Sequence, residues 1–241
     1  MAFFLNYQST VPSIQAIRFS DMQGKALVKI KEGKLIQQKM VMSNGRHFVE
    51  DIAYKPFFRW ALKTDEDVSM TNFERGKVSG EVDFCPALVR YSVPIRDELD
   101  SPYGMLIVNM WGRRIDDAVE AALGGYPGQA YIVEINHEKE RDGIYLYHMD
   151  ADKRFSNQLG KDIKFSNDIG EQHWKRINDD EQVGMVVNNK NNYFYYYKFS
   201  PFQDRQTQWL LVIEMARESV LAPILDLKNW IIYLMLVVVL V

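Results

Sequence analysis

The sequence predicts an α+β chain of two tandem modules, each an antiparallel sheet of about five strands with helices. Three observations predict it. The stretch VPIRDELDSPYGMLIVNM, Val93 to Met110, reads as one β-hairpin. Val93 and Ile95 end a strand, Ser101-Pro102-Tyr103-Gly104 turns the chain, and Met105–Met110 returns ahead of the helical spacing Ile115, Val119, Leu123. About a hundred residues later, FSPFQDRQTQWLLVIEMARESVLAPIL writes strand, polar turn, apolar strand and helix again, and such self-similarity marks a repeated unit. Between the two, Gly124-Gly125-Tyr126-Pro127-Gly128 is the strongest Gly/Pro punctuation in the chain. The predicted division is therefore 1–123, a linker at 124–128, 129–227, and a separate last segment at 228–241.

The elements follow in order. Ile14–Ser20 and Lys25–Ile30 alternate apolar positions around Asp21-Met22-Gln23-Gly24, whose Asp and Gly suit the ends of a type I turn. Glu50–Lys63 is too aromatic for a solvated helix, and Pro56 near its middle implies two helical pieces or a helix after a loop. Val68–Phe73 is a short strand, Arg75–Phe84 a loop, and Ala87–Ile95 begins the hairpin that leads to a helix over Arg113–Leu123. In the second module Ala130–Asn136 and Ile144–His148 are strands, Ile169–Ile177 a helix and Gly184–Asn188 a strand. Tyr193–Phe199, the turn Gln203–Gln208 and Trp209–Met215 form the last hairpin, and Ser219–Leu227 is the exit helix. Both halves read strand–strand–helix–three strands–helix, which describes a PAS-like module. Tyr193, Tyr195, Tyr196 and Tyr197 read as a sheet strand with aromatics on both faces, or as a stacking surface.

Composition narrows the function. A net charge of −3 over 241 residues offers no basic field for nucleic acid. The one cysteine, Cys85, can form no internal disulfide and reads as a packed side chain. No Gly-x-Ser-x-Gly, phosphate-cradling loop or His-Glu-x-x-His is present, so neither an enzyme nor a cofactor is expected. His137-Glu138-Lys139-Glu140 reads as a solvated charged turn. His148, Asp150 and Asp152 lack the further ligands and the Gly of a calcium loop, and read as a capped turn rather than a metal site. Trp230–Val241 is an unbroken apolar run flanked by Trp230 and Tyr233, which suits the start of a transmembrane helix; a buried C-terminal helix is the other reading.

Several segments together resemble the double Cache (tandem PDC) extracytoplasmic sensor domains of bacterial transmembrane receptors. IQAIRFSDMQGKALVKI looks like the opening hairpin of that family. NFERGKVSGEVDFCPALVRYSVPIRDELDSPYGMLIVNM is similar to its proline-rich approach and central hairpin, and INHEKERDGIYLYHMDADKRF to its membrane-proximal segment. The match runs from about Ile14 to Leu227. The resemblance implies a periplasmic domain at the bacterial inner membrane, homodimeric in the full receptor, that senses a small molecule and passes a shift along its exit helix. The output domain would be a histidine kinase, a diguanylate cyclase or a chemotaxis domain. Met1–Thr10 would be the last turns of the family's long N-terminal helix. The alternative is a membrane-anchored interaction or spacer domain without a small ligand.

The expected site lies in the first module, where the inserted segment Tyr54-Lys55-Pro56-Phe57-Phe58-Arg59-Trp60 meets the sheet. Arg59 would capture a carboxylate bidentately, with Tyr54 and Trp60 as stacking surface. In the other reading these aromatics are core and Arg59 reaches solvent. Period-two spacing groups Ser69 with Thr71 and Arg90 with Ser92, and Asn109 sits near the hairpin's end. The family's amino-acid motif, Tyr-x4-Arg-x-Trp-Tyr with a later Asp, is matched by Tyr54 and Arg59 only; Trp60 follows Arg59 directly and Asn109 stands where the Asp is sought. The ligand expected is therefore a small anion such as a carboxylate.

Overall fold

Alternating apolar strands, broken by tight turns, assemble among the described residues into two main antiparallel sheets and a separate two-stranded pair, Met40–Val41 with His47–Phe48. The structure is a computed structural model that describes residues 2–63, 67–78, 85–126, 128–179, 182–188, 190–201 and 207–240. The chain divides into two compact units, Met1–Ile115 and Asp116–Val241.

The first unit opens with helix α1 (Ala2–Thr10), then strands β1 (Ile14–Asp21) and β2 (Lys25–Lys31). Gly24, at φ +81°, closes their turn by donating its N–H to the Asp21 carbonyl at 3.1 Å. Two-residue strands follow: β3 (Lys34–Leu35), β4 (Met40–Val41), β5 (His47–Phe48) and β6 (Glu50–Asp51), which are too short to show an alternation in sequence. Helix α2 (Pro56–Ala61) comes next, with Pro56 in its first turn, where the missing N–H costs nothing. Of the two expectations for this segment, the helix after a loop is the one found. Strands β7 (Ser69–Met70), β8 (Glu74–Arg75), β9 (Ala87–Arg96) and β10 (Pro102–Trp111) complete the sheet, ordered β3-β2-β1-β10-β9-β7 with β6 on β2 and β8 on β9. Part of the expected loop Arg75–Phe84 lies outside the described residues. Phe58 and Ala61 of α2 pack with Ile52 on Met105 and Ile107 of β10, so α2 covers that face of the sheet.

Helix α3 (Arg113–Leu123) follows the hairpin as expected. The division between units falls within it, before Asp116, rather than at 124–128. Its later turns are tied to the second unit: Arg154 pairs with Asp116 through Nη1–Oδ2 at 2.9 Å and Nη2–Oδ1 at 2.8 Å, and Tyr147 donates to Glu120 at 3.2 Å.

The second unit contains β11 (Gln129–Ile135), β12 (Tyr145–Tyr147), α4 (Phe165–Ile169), α5 (Glu171–Asp179), β13 (Val183–Val187), β14 (Asn192–Phe199) and β15 (Gln208–Ala216), in the sheet order β12-β11-β15-β14-β13. The expected helix Ile169–Ile177 is found as α5, starting at Glu171, because Gly170 at φ +91° leaves helical backbone and ends a further short helix, α4, at Ile169. Tyr145, Phe165, Trp174, Phe194 and Leu210 form the core between helices and sheet. Phe194 and Tyr196 enter that core, while Tyr195 and Tyr197 stand exposed on the opposite face of β14, as its alternation requires. The expected turn Gln203–Gln208 lies largely outside the described residues. β15 runs without a break into α6 (Arg217–Leu240), so Trp230–Leu240 continues the exit helix, with Trp230, Ile231, Ile232, Tyr233 and Met235 exposed. Among the described residues no helix is long and apolar enough to cross a membrane.

Candidate ligand-binding face of the first unit

Residues directly opposite in neighbouring strands share a face, so the ladder register identifies what lies beneath α2. One transverse row reads Lys29, Arg18, Ile107, Ser92, Ser69 across β2, β1, β10, β9 and β7. The next reads Lys31, Ala16, Asn109, Arg90. Because Ile107 touches α2, this is the covered face.

Four of the expected residues therefore meet here. Ser69 and Ser92 are buried and linked, the Ser69 hydroxyl donating to the Ser92 carbonyl at 3.3 Å. Asn109 is 4% exposed and donates through Nδ2 to Gln15 Oε1 at 2.9 Å. Arg90 pairs with Glu74 at 2.8 Å. Thr71, just beyond β7, stands beside them and accepts from the Arg90 backbone N–H at 3.0 Å.

The inserted segment is arranged differently from the expectation. On α2, Phe57, Phe58 and Ala61 turn toward the sheet, and one residue further round the helix points Arg59 outward. Arg59 is exposed, with its Nε donating to the Ala53 carbonyl at 3.2 Å. Tyr54 is 59% exposed under the Lys55 ammonium, and Trp60 is half-buried. The guanidinium beneath α2 comes from Arg18, which the sequence reading passed over. The available signal was the spacing of Ala16, Arg18 and Ser20, a cation among small residues on one side of a strand.

Arg18 and Lys29 clasp Glu50, with Arg18 Nε 2.5 Å from Oε1 and Lys29 Nζ 2.6 Å from Oε2. Their side chains are only 11% and 14% exposed. The Phe57 ring lies between two guanidiniums, its centroid 5.9 Å from Arg18 Cζ and 5.2 Å from Arg90 Cζ. Burial lowers the pKa of Arg18, with Glu50 opposing and Arg90 adding to the drop. Burial alone would raise Glu50, yet Arg18 and Lys29 hold it below the usual carboxylate range. Several buried polar atoms on this face have no hydrogen-bond partner among the described residues: Arg18 Nη1 and Nε (close to Glu50 but misaligned), Ser20 Oγ and Asn109 Oδ1. The face thus presents Arg18, Lys29 and Arg90 against Glu50 and Glu74, an excess of one positive charge, with donors to spare.

In the second unit, the family-like segment from Ile135 to Phe155 is occupied by structure. Asp142 accepts from the Asn136 N–H at 3.1 Å and from Trp174 Nε1 at 2.9 Å, while Glu134 and Arg141 form a buried bidentate pair. His137 to Glu140 are exposed. His148 Nδ1 accepts from the Asp150 N–H at 2.8 Å and Asp150 Oδ1 from the Asp152 N–H at 2.9 Å, which is a capped turn. Among the described residues no three metal-ligating side chains gather.

No family model and no curated protein matches the sequence. Solved structures do match. A Vibrio parahaemolyticus domain assigned to the sensory box/GGDEF family is 18% identical, with a TM-score of 0.63 over 90% of this chain and 77% of that one. The periplasmic sensory domain of the Campylobacter jejuni chemoreceptor Tlp1 is 11% identical, with a TM-score of 0.58 over 91% and 78%. The ligand-binding domain of the Pseudomonas fluorescens chemoreceptor CtaA, in complex with L-serine, is 10% identical, with a TM-score of 0.55 over 90% and 79%. The fold is that of extracytoplasmic sensory domains. These neighbours bear out the double Cache resemblance at the level of fold.

Proposed function

We propose that the chain is the periplasmic sensing domain of a bacterial inner-membrane receptor, built of two tandem PAS-like modules, and that the face beneath α2 binds a small carboxylate. The observation that carries this reading is Arg18, a buried guanidinium with an unpartnered Nη1 in a cluster one positive charge in excess. A buried charge without full pairing is costly, and an anion would complete it. Arg90, Ser69, Ser92 and Asn109 share the face and supply further donors, while Phe57 of α2 is the group that must give way. The chemoreceptor CtaA, which has this fold and is solved with L-serine, shows the fold compatible with a small polar ligand.

The exit helix supports the rest of the reading. β15 continues directly into α6, so a change in the sheet has a rigid element to move, and the exposed apolar side chains from Ile224 to Met235 suit entry into a membrane. A homodimer in the full receptor would supply the reference against which α6 moves. The domain itself has no catalytic part in this scheme. Phe57 favours one other reading, an interaction or spacer domain whose face is filled by its own side chain.

Isothermal calorimetry of the chain with a panel of mono- and dicarboxylates separates the two. Binding is expected, with Arg18→Met weakening it about a hundredfold, as the loss of a charge-assisted contact implies. Arg59→Ala should change it little. Absence of any carboxylate binding, or equal affinity in a folded Arg18→Met, overturns the proposal.

A further inference from the structure

The second unit holds a partly open cavity of about 380 Å³, within the size range of small-ligand sites and lined by none of the residues of the face beneath α2. A larger concavity, about 540 Å³ along α1 beside Phe3, Leu5, Asn6 and Ser9, is open and carries no charged side chain. The cavity of the second unit is less open and is lined by charged side chains. Tyr131 and His148 stack within it, ring centroids 4.6 Å apart and planes 8° from parallel. Asp168 of α4 and Glu214 of β15 also line it.

Each carboxylate is held by a phenol, Tyr145 donating to Asp168 Oδ2 and Tyr131 to Glu214 Oε2. Asn192 Nδ2 adds a 2.6 Å bond to Glu214 Oε1. These bonds fix the two carboxylates without neutralising them. Lys153 stands 3.4 Å from Asp168, their side chains 32% and 42% exposed, and Lys190 is exposed. Glu214 makes no ion pair among the described residues. Of the lining charges that are not fully exposed, Glu214 is the one without an ion pair among the described residues, and it is negative.

His148 supplies an independent sign of a ligand. It is 6% exposed and lines the cavity. Its Nδ1 accepts from the Asp150 N–H at 2.8 Å, which places the ring hydrogen on Nε2. That donor has no partner among the described residues. Burial, with Lys153 close by, lowers the His148 pKa to about 4, so the ring is neutral near pH 7 and adds no positive charge.

We propose that this cavity is a second ligand site, taking a small primary amine whose ammonium sits between Asp168 and Glu214 and whose oxygen accepts from His148 Nε2–H. The stacked rings of Tyr131 and His148 give the carbon skeleton a flat wall. An anion is disfavoured here by the same two carboxylates, so the two units select ligands of opposite charge. The site stands or falls independently of the carboxylate site, since its residues all belong to the second unit.

The test is an NMR titration of the whole chain with ethanolamine, alongside acetamide as a neutral probe and acetate as an anionic one. Ethanolamine is expected to shift amide signals around Tyr131, His148, Asp168, Asn192 and Glu214, with neither control doing so. Glu214→Gln keeps an acceptor for Asn192 Nδ2, with its NH2 donating to the Tyr131 hydroxyl, and should weaken ethanolamine about tenfold or more. Arg18→Met should leave it unchanged, which separates this site from the other. Should Glu214→Gln fail to fold, Asp168→Asn and the preference of the native chain for ethanolamine over acetamide decide the matter. No response to ethanolamine, a response to acetamide of equal strength, or a folded Glu214→Gln of undiminished affinity overturns the proposal.

Discussion

The buried pair Glu134–Arg141 offers the sharpest energetic prediction. Its side chains are 1% and 9% exposed, and Arg141 grips the carboxylate through Nε–Oε1 at 2.9 Å and Nη2–Oε2 at 2.5 Å. Asn136 Nδ2 adds a third bond at 2.6 Å. Glu134→Ala removes the acceptor of all three and takes its carboxylate partner from a buried guanidinium. Breaking a buried pair in this way costs about 3–5 kcal/mol, mostly the penalty of the stranded charge. At roughly 4 °C per kcal/mol for a unit of this size, the midpoint falls by on the order of 12–20 °C. The double change Glu134→Leu with Arg141→Met removes both charges together and should recover most of that loss, because apolar replacement of a whole pair is often neutral. Thermal and urea unfolding followed by circular dichroism measure both. A loss below about 1 kcal/mol for Glu134→Ala, or a double variant no better than the single one, would refute the argument that the stranded charge sets the cost.

Two further predictions test other parts of the fold. His148 takes up its proton near pH 4 in the folded chain and near 6.5 when unfolded, so the unfolded chain binds more protons between those values. Stability should therefore fall as pH drops through that window, and His148→Gln should flatten the fall; an unchanged slope in that variant, measured by urea titration at several pH values, would remove His148 as its source. Gly24 sits at φ +81° and a Cβ there would lie 2.6 Å from the Ala53 backbone, whereas Gly33 at φ +75° has open space. Gly24→Ala should cost more than about 1 kcal/mol and Gly33→Ala distinctly less, and equal losses in denaturant would show that backbone conformation, not the Ala53 contact, governs both.

The fold was legible where structure is local, and the candidate sites were not, because they are made across strands. Period-two alternation and a Gly-closed turn gave β1, β2 and β9 within a residue, and the spacing of Ile115, Val119 and Leu123 gave α3, whereas β10 begins at Pro102, three residues before the expected Met105, because the chain turns between Asp97 and Ser101. Gly170 was visible in the sequence, but its φ of +91°, which ends α4 and delays the expected helix to Glu171, is set by the tertiary structure. The same limit explains Arg59 and Arg18. Arg59 carried the local signature, a guanidinium amid aromatics, yet on a six-residue helix that turns Phe57, Phe58 and Ala61 inward it has only the outward side left. Arg18 carried no local signature beyond its place between Ala16 and Ser20. Its burial follows from β1 lying between β2 and β10, a pairing with β10 that joins Arg18 to Ile107, and from which of its faces α2 covers, neither of which is local in sequence. The cavity of the second unit is more extreme, since Tyr131, His148, Asp168, Asn192 and Glu214 come from five separate segments. A carboxylate becomes a ligand group there only because a phenol holds it and no lysine fully neutralises it, and spacing along the chain encodes neither fact.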